Sequence, residues 1–108
     1  MDSARLVDQR GTVWTVHVPT SRRERIRGLR GHPPLGPHQG LLLKRTRSVH
    51  TFGMRFPISV VLLDGDLNVI RTTPMRPGRL LWPRRGVRHV LECREDADLR
   101  PGDRLVVA

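Results

Sequence analysis

Every apolar stretch in this chain is short. The longest, Ile58 to Leu63, spans six residues and is interrupted by Ser59; Leu41 to Leu43 is shorter still. Glycine, proline and aspartate punctuate the sequence from end to end, so apolar residues alternate or run in brief blocks, the signature of strands rather than of helices. The chain is therefore predicted to be mainly β. Strands are expected over Thr12 to Val18, Leu41 to Arg45, Phe56 to Leu63, Leu67 to Thr73, Arg79 to Trp82, Val87 to Cys93 and Arg104 to Val107. Asp64-Gly65-Asp66 reads as one hairpin turn and Pro83-Arg84-Arg85-Gly86 as a second, with a short hook over Glu95 to Leu99 before Pro101-Gly102-Asp103. So many short strands in 108 residues cannot bury themselves as one open sheet with a wet face. They are expected to close into a compact β-sandwich or barrel, jelly-roll-like in form.

One short helix interrupts this pattern. Ser21-Arg22-Arg23-Glu24 fits a capping box, in which the serine hydroxyl accepts from the Glu24 amide and the glutamate reaches back to the cap, and Gly28 supplies the stop. The helix is therefore placed at Arg22 to Arg27. Between Gly31 and Gly40, three prolines and three glycines enforce a loop long enough to cover an edge or a mouth. The length suits a single domain, residues 1–108, with residues 1–11 expected to be a loosely ordered N-terminus. No apolar run approaches the roughly 18 residues of a membrane-spanning helix. The first residues carry neither a basic nor an apolar leader segment, so a cytoplasmic protein without a membrane association is expected. Cys93 is the lone cysteine and cannot form an internal disulfide. No histidine or cysteine spacing marks a metal site, so no metal or cofactor is expected, and the domain reads as a monomer.

The formal charge of +10 would by itself favour nucleic acid or another polyanion. Lys44 is the only lysine among twenty basic residues, however, a bias that a GC-rich coding sequence produces without any demand for phosphate binding. Stacking rings are also scarce: Trp14, Phe52, Phe56 and Trp82 are the only aromatic residues of the phenyl or indole type. Arg84, Arg85 and Arg88 are the polyanion-contact candidates, and such binding is expected to be weak.

The densest cluster of special residue types lies between Ser48 and Ile58, immediately before the longest apolar run. Ser48 and His50 are two apart, so in an extended segment they share a side, which is the beginning of a nucleophile and general-base pair. No third group is identifiable to orient the imidazole. His50 also suits a binding role, with Thr51, Met54 and Arg55 beside it. An arginine next to a buried strand needs an anion to offset its desolvation, and Asp64 and Glu92 are the expected partners of Arg55. On the predicted strand Val87 to Cys93, His89, Leu91 and Cys93 share the core face, while Arg88, Val90 and Glu92 share the other.

Several of these segments, taken in order, resemble one family. Arg27-Gly28-Leu29, Gly40-Leu41-Leu42-Leu43, Ser48 through Ile58, Leu63-Asp64, Val90-Leu91-Glu92 and Pro101-Gly102-Asp103-Arg104-Leu105 look like the bacterial and archaeal domain of unknown function 192, DUF192. The resemblance runs from about Val16 to the C-terminus and implies a small, mainly β domain with no agreed activity, cofactor or partner. It departs from the family's pattern in lacking a secretory signal, in Arg30 after the glycine-leucine pair, and in Ser59 where aspartate is typical. A hydroxyl cannot replace a catalytic carboxylate, so either this chain is inactive or the aspartate at that place is structural. The structural reading is favoured because serine and aspartate can both accept from a backbone amide there. The expected function is a binding or accessory module that engages a small ligand or protein partner through His50 to Arg55. Hydrolase or transferase chemistry with His50 as general base is the alternative, and a polyanion-binding surface is a further one.

Overall fold

The structure, a computed structural model, describes all 108 residues. Its strands are β1 (Asp2–Val7), β2 (Val13–Val18), β3 (Gln39–Lys44), β4 (Val49–His50), β5 (Ile58–Leu63), β6 (Val69–Met75), β7 (Leu80–Leu81), β8 (His89–Arg94) and β9 (Val106–Val107), with one helix, α1 (Arg22–Arg27). The mainly β expectation holds. Seven strands form one sheet in the order β6-β5-β8-β3-β2-β1-β9, curled into a half-barrel, and β4 and β7 make a separate two-stranded piece. All pairings are antiparallel except β2 with β3, whose crossover carries α1 and the proline-rich loop.

The sequence dictates which strands lie in the middle. Ile58-Ser59-Val60-Val61-Leu62-Leu63 is buried at every position, because β5 sits between β6 and β8 with both faces covered. One face joins Leu6, Trp14, Val16, Leu42, Val61, Leu91 and Cys93 in a first core. The other joins Leu29, Leu35, Leu41, Met54, Ile58, Val60 and Val90 in a second core, roofed by the loop after α1 and by the segment around Met54. Gly40 lets β3 approach β8, since a Cβ there would lie 2.8 Å from Leu91 Cδ1 and 3.1 Å from the Glu92 carbonyl oxygen.

Two expectations fail here. The N-terminal residues are not loose: β1 is hydrogen-bonded to β2 along its whole length and to β9 at Leu6 and Val7, inside the sheet rather than at its margin. Its weakly apolar sequence concealed a strand held by pairing on both sides. The Pro83 to Gly86 turn does not make a hairpin either, because β7 pairs with β4 while β8 inserts between β3 and β5. The Asp64 turn does join β5 to β6, and the Asp64 carboxylate accepts the Asp66 and Asn68 amides at 2.9 Å each and the Asn68 side chain at 3.0 Å.

Candidate cleft between the helix and the Ser48 to Met54 segment

The helix is anchored at its start and buries none of its side chains. Ser21 and Glu24 form the reciprocal capping box, and Glu24, tied also to the Thr20 amide and the terminal amine, is held down at about 2. None of the helix's six residues is buried, so α1 lies on the surface. Arg25 pins it down by donating to the Lys44 carbonyl at 2.6 Å and to the Thr46 hydroxyl at 2.9 Å.

Facing α1 is the segment that the sequence singled out, and Thr51 sets its position. That side chain is fully buried. Its hydroxyl donates to the Arg76 carbonyl at 2.6 Å and accepts the Arg79 amide at 2.9 Å, while its own amide reaches the Arg79 carbonyl at 2.8 Å. Thr51 is thus a clamp holding β4 and the following turn against residues 76–81, rather than a group that meets a ligand. Gly53, at φ 79°, makes the tight turn beyond it, and Met54 drops into the second core.

Between the two walls lies a cleft of about 480 Å³, within the roughly 300 to 1,000 Å³ typical of small-molecule sites. Its α1 side presents Arg22, Arg25, Ile26, Arg27 and, past the helix, Gly28 and Arg30; its other side presents Ser48, His50, Phe52 and Met54. Ile26 and Phe52 are 59% and 49% exposed, leaving apolar surface at the mouth. His50 is exposed and stacks on Phe52, with ring centroids 4.8 Å apart, and its Nδ1 accepts the Phe52 amide at 3.3 Å. No carboxylate orients that ring and no hydrogen bond joins it to Ser48, so a nucleophile and base pair is not assembled.

The floor of the cleft is Glu92. Its residue is 3% exposed and stands in register with Leu41 on β3 and Val60 on β5, both buried and apolar. No hydrogen bond or ion pair reaches its carboxylate, and its Oε1 lies 3.8 Å from the place a Cβ would occupy on Gly28. Burial with nothing to offset it pushes this acid up to about 7. On the opposite face of β8 the Cys93 thiol is also pushed up, by burial and by the neighbouring Glu92 charge.

Several expected placements are corrected. Arg55 is exposed and forms no ion pair, so neither Asp64 nor Glu92 is its partner. Its side chain points to solvent instead of along the strand, and needs no anion to offset desolvation. Glu92 faces no arginine at contact distance, because its face of β8 is roofed rather than wet. Asp64 lies past the far end of β5, is locked into its own turn, and does not line the cleft. Ser59 is in register with Cys93 and belongs to the other face. Arg84 and Arg85 are exposed in their turn, whereas Arg88 joins Arg45, Arg47 and His89 around a separate open groove. The contribution of Arg22 to Arg30 went unforeseen, since an arginine-rich helix reads as an ordinary solvated face. Only the capping box, which fixes where the helix lies, hinted at it.

The DUF192 profile, described as an uncharacterized family, matches residues 5–107. The chain belongs to the DUF192 family. No curated protein shows a significant sequence match. Two crystal structures share its fold at a TM-score of 0.80 each. One is a candidate transcription regulator from Sinorhizobium meliloti 1021, 23% identical, with 97% of this chain and 92% of that one covered. The other is a protein of unknown function from Novosphingobium aromaticivorans DSM 12444, 17% identical, with 96% and 83% covered. Within this DUF192 chain, segments far apart in sequence converge on one place: Arg27-Gly28-Leu29, Leu43, Ser48-Val49-His50, Phe52, Met54 and Glu92 all border the cleft.

Proposed function

We propose that this domain is a binding module that takes a small polar molecule into the cleft between α1 and the Ser48 to Met54 segment. One observation carries the reading: Glu92 is a buried carboxylate with no partner, at the floor of an open cleft. A buried charge without a partner is costly, and a fold that had no use for an acceptor there would be better served by leucine. The exposed Ile26 and Phe52 at the mouth and the clamped Ser48 to Met54 wall fit the same role. A thermal-shift panel of amines, amino acids, phosphate esters and polyols tests it. Some members should raise the melting temperature of the native protein by several degrees and leave Ser48→Trp, in which an indole fills the cleft, unmoved. Equal response of the two proteins, or no response to any member, would refute the proposal.

A second reading rests on a different feature. Arg45, Arg47 and Arg88, none of them in an ion pair, border an open groove at the other end of β8 with His89. His89 Nδ1 accepts the Arg45 amide at 3.1 Å, and burial, with the nearby cations, lowers its proton affinity. Such a groove suits weak, sequence-independent contact with a phosphate backbone, and the relative described as a candidate transcription regulator is compatible with it. Labelled duplex DNA titrated at two salt concentrations checks this. Binding that is indifferent to sequence and falls steeply with added salt would support this reading; sequence-selective binding that survives physiological salt, or no binding at low salt, would refute it.

A further inference from the structure

The cleft keeps charges of opposite sign on different surfaces. Its floor is the Glu92 carboxylate, which has no donor. Its α1 side carries Arg22, Arg25, Arg27 and Arg30, which have no carboxylate partner. A guanidinium folding down onto Glu92 would cancel both deficits, yet three of the four are engaged elsewhere. Arg25 donates to Lys44 and Thr46, Arg27 Nε to the Arg30 carbonyl at 3.4 Å, and Arg30 to the Ile26 carbonyl at 3.3 Å. The Arg22 guanidinium makes no hydrogen bond and the residue sits at the helix start, away from Gly28, where the Glu92 oxygen lies.

Resting on the cleft-binding reading above, we infer that the occupant is a small zwitterion, an ammonium joined through a short chain to an oxyanion, with the ammonium against Glu92 and the oxyanion on Arg22 and Arg27. A simple cation would pay for its pairing with Glu92 by sitting among guanidiniums. A simple anion would be drawn to the wall but would leave the floor carboxylate buried and unpaired. A molecule bearing both charges satisfies both surfaces, and a charge-assisted hydrogen bond at a desolvated site is stronger than one at an exposed site. His50 and Phe52 would close the side opposite the arginines with a flat stacked surface.

Isothermal titration calorimetry with defined probes tests this. 4-Aminobutyrate and O-phosphoethanolamine carry both charges, ethanolamine only the ammonium, and butyrate and inorganic phosphate only the anion. At least one zwitterion should bind tenfold or more tightly than every single-charge probe. Glu92→Gln should bring that zwitterion down to the level of its anion-only analogue. The double variant Arg22→Ala, Arg27→Ala should bring it to the level of ethanolamine without moving the melting temperature, because α1 buries no side chain. Single-charge probes that match the zwitterions, no zwitterion binding at all, or an affinity untouched by Glu92→Gln would overturn the inference. If neutral molecules bind instead and Ser48→Trp blocks them, the cleft reading stands while the zwitterion falls. If a zwitterion binds equally well to Ser48→Trp, the cleft itself is the wrong place.

Discussion

Two carboxylates are buried in this molecule, and they are treated in opposite ways. Asp8, 6% exposed, sits in the tight connection from β1 to β2. Its Oδ1 accepts the Arg10 and Thr12 amides at 2.9 and 3.0 Å, its Oδ2 accepts the Trp14 indole N–H at 3.0 Å, and the Arg10 guanidinium stands 3.7 Å away. Burial alone would raise its proton affinity, but those donors outweigh it and the acid ends below its ordinary value. Glu92, 3% exposed, has none of this and ends at about 7. The same chemical group thus closes a hairpin in one place and stands open-handed in the other. Hydrogen bonds within the fold account for Asp8, whereas no group of the fold answers the Glu92 carboxylate.

The sharpest way to break this contrast is to delete each acid in turn. Asp8→Ala would orphan a buried indole N–H and two amides, and should cost about 3 to 5 kcal/mol in chemical denaturation. A cost under about 1 kcal/mol would mean that water replaces the carboxylate and that the two acids are not so different. Next in size is the pH dependence that Glu92 imposes. Its folded-state value of about 7 lies above the ordinary 4.5, so between these limits the folded protein holds a proton that the unfolded chain releases. The Glu92 contribution to stability should be full below about 4.5, fall as pH rises toward 7, and level off beyond, a loss of about 3 kcal/mol. Glu92→Gln should abolish that slope and be more stable than the native protein at pH 8 by about 2 kcal/mol. A slope that persists in Glu92→Gln would locate the proton elsewhere.

Thr51 gives an intermediate case, a buried hydroxyl with both of its roles filled. Thr51→Val should cost about 2 kcal/mol and, by loosening the wall opposite α1, weaken any ligand bound in the cleft, readable by denaturation and calorimetry together. The smallest effect is expected at Arg55. If Glu92 has no internal counterion, Arg55→Ala should change stability by less than about 0.5 kcal/mol. A larger loss in denaturation would restore the ion pair that the fold does not contain.

How much of this was legible in the sequence follows from what each element depends on. The helix was readable to the residue, because Ser21, Glu24 and Gly28 specify its ends by local hydrogen bonding. Strand β5 was readable because six residues of unbroken burial need six residues of apolar or small character. Strand β1 was not, since Asp2, Ser3 and Arg5 carry no strand preference and are held by partners distant in the chain. The alternation along β8 follows from its sequence, yet nothing within the strand marks its second face as covered. The run of β5 held the missing signal: a strand apolar on both sides implies that its neighbours are covered on both sides too, which would have placed Glu92 indoors. The arginines of α1 were invisible as a wall, because nothing local says what a surface helix leans over.

Cys93 offers a consequence of its own. Its thiol is fully buried on β8, back to back with Glu92, and pushed so far up that it is inert while the sheet is closed. It is the only thiol in the chain. Alkylation by iodoacetamide can therefore proceed only in those instants when β8 parts from β3 and β5, which turns one natural atom into a stopwatch for the opening of the strand that carries the cleft floor. A molecule seated on Glu92 should slow that clock in proportion to its occupancy, with no label or fusion added to the protein.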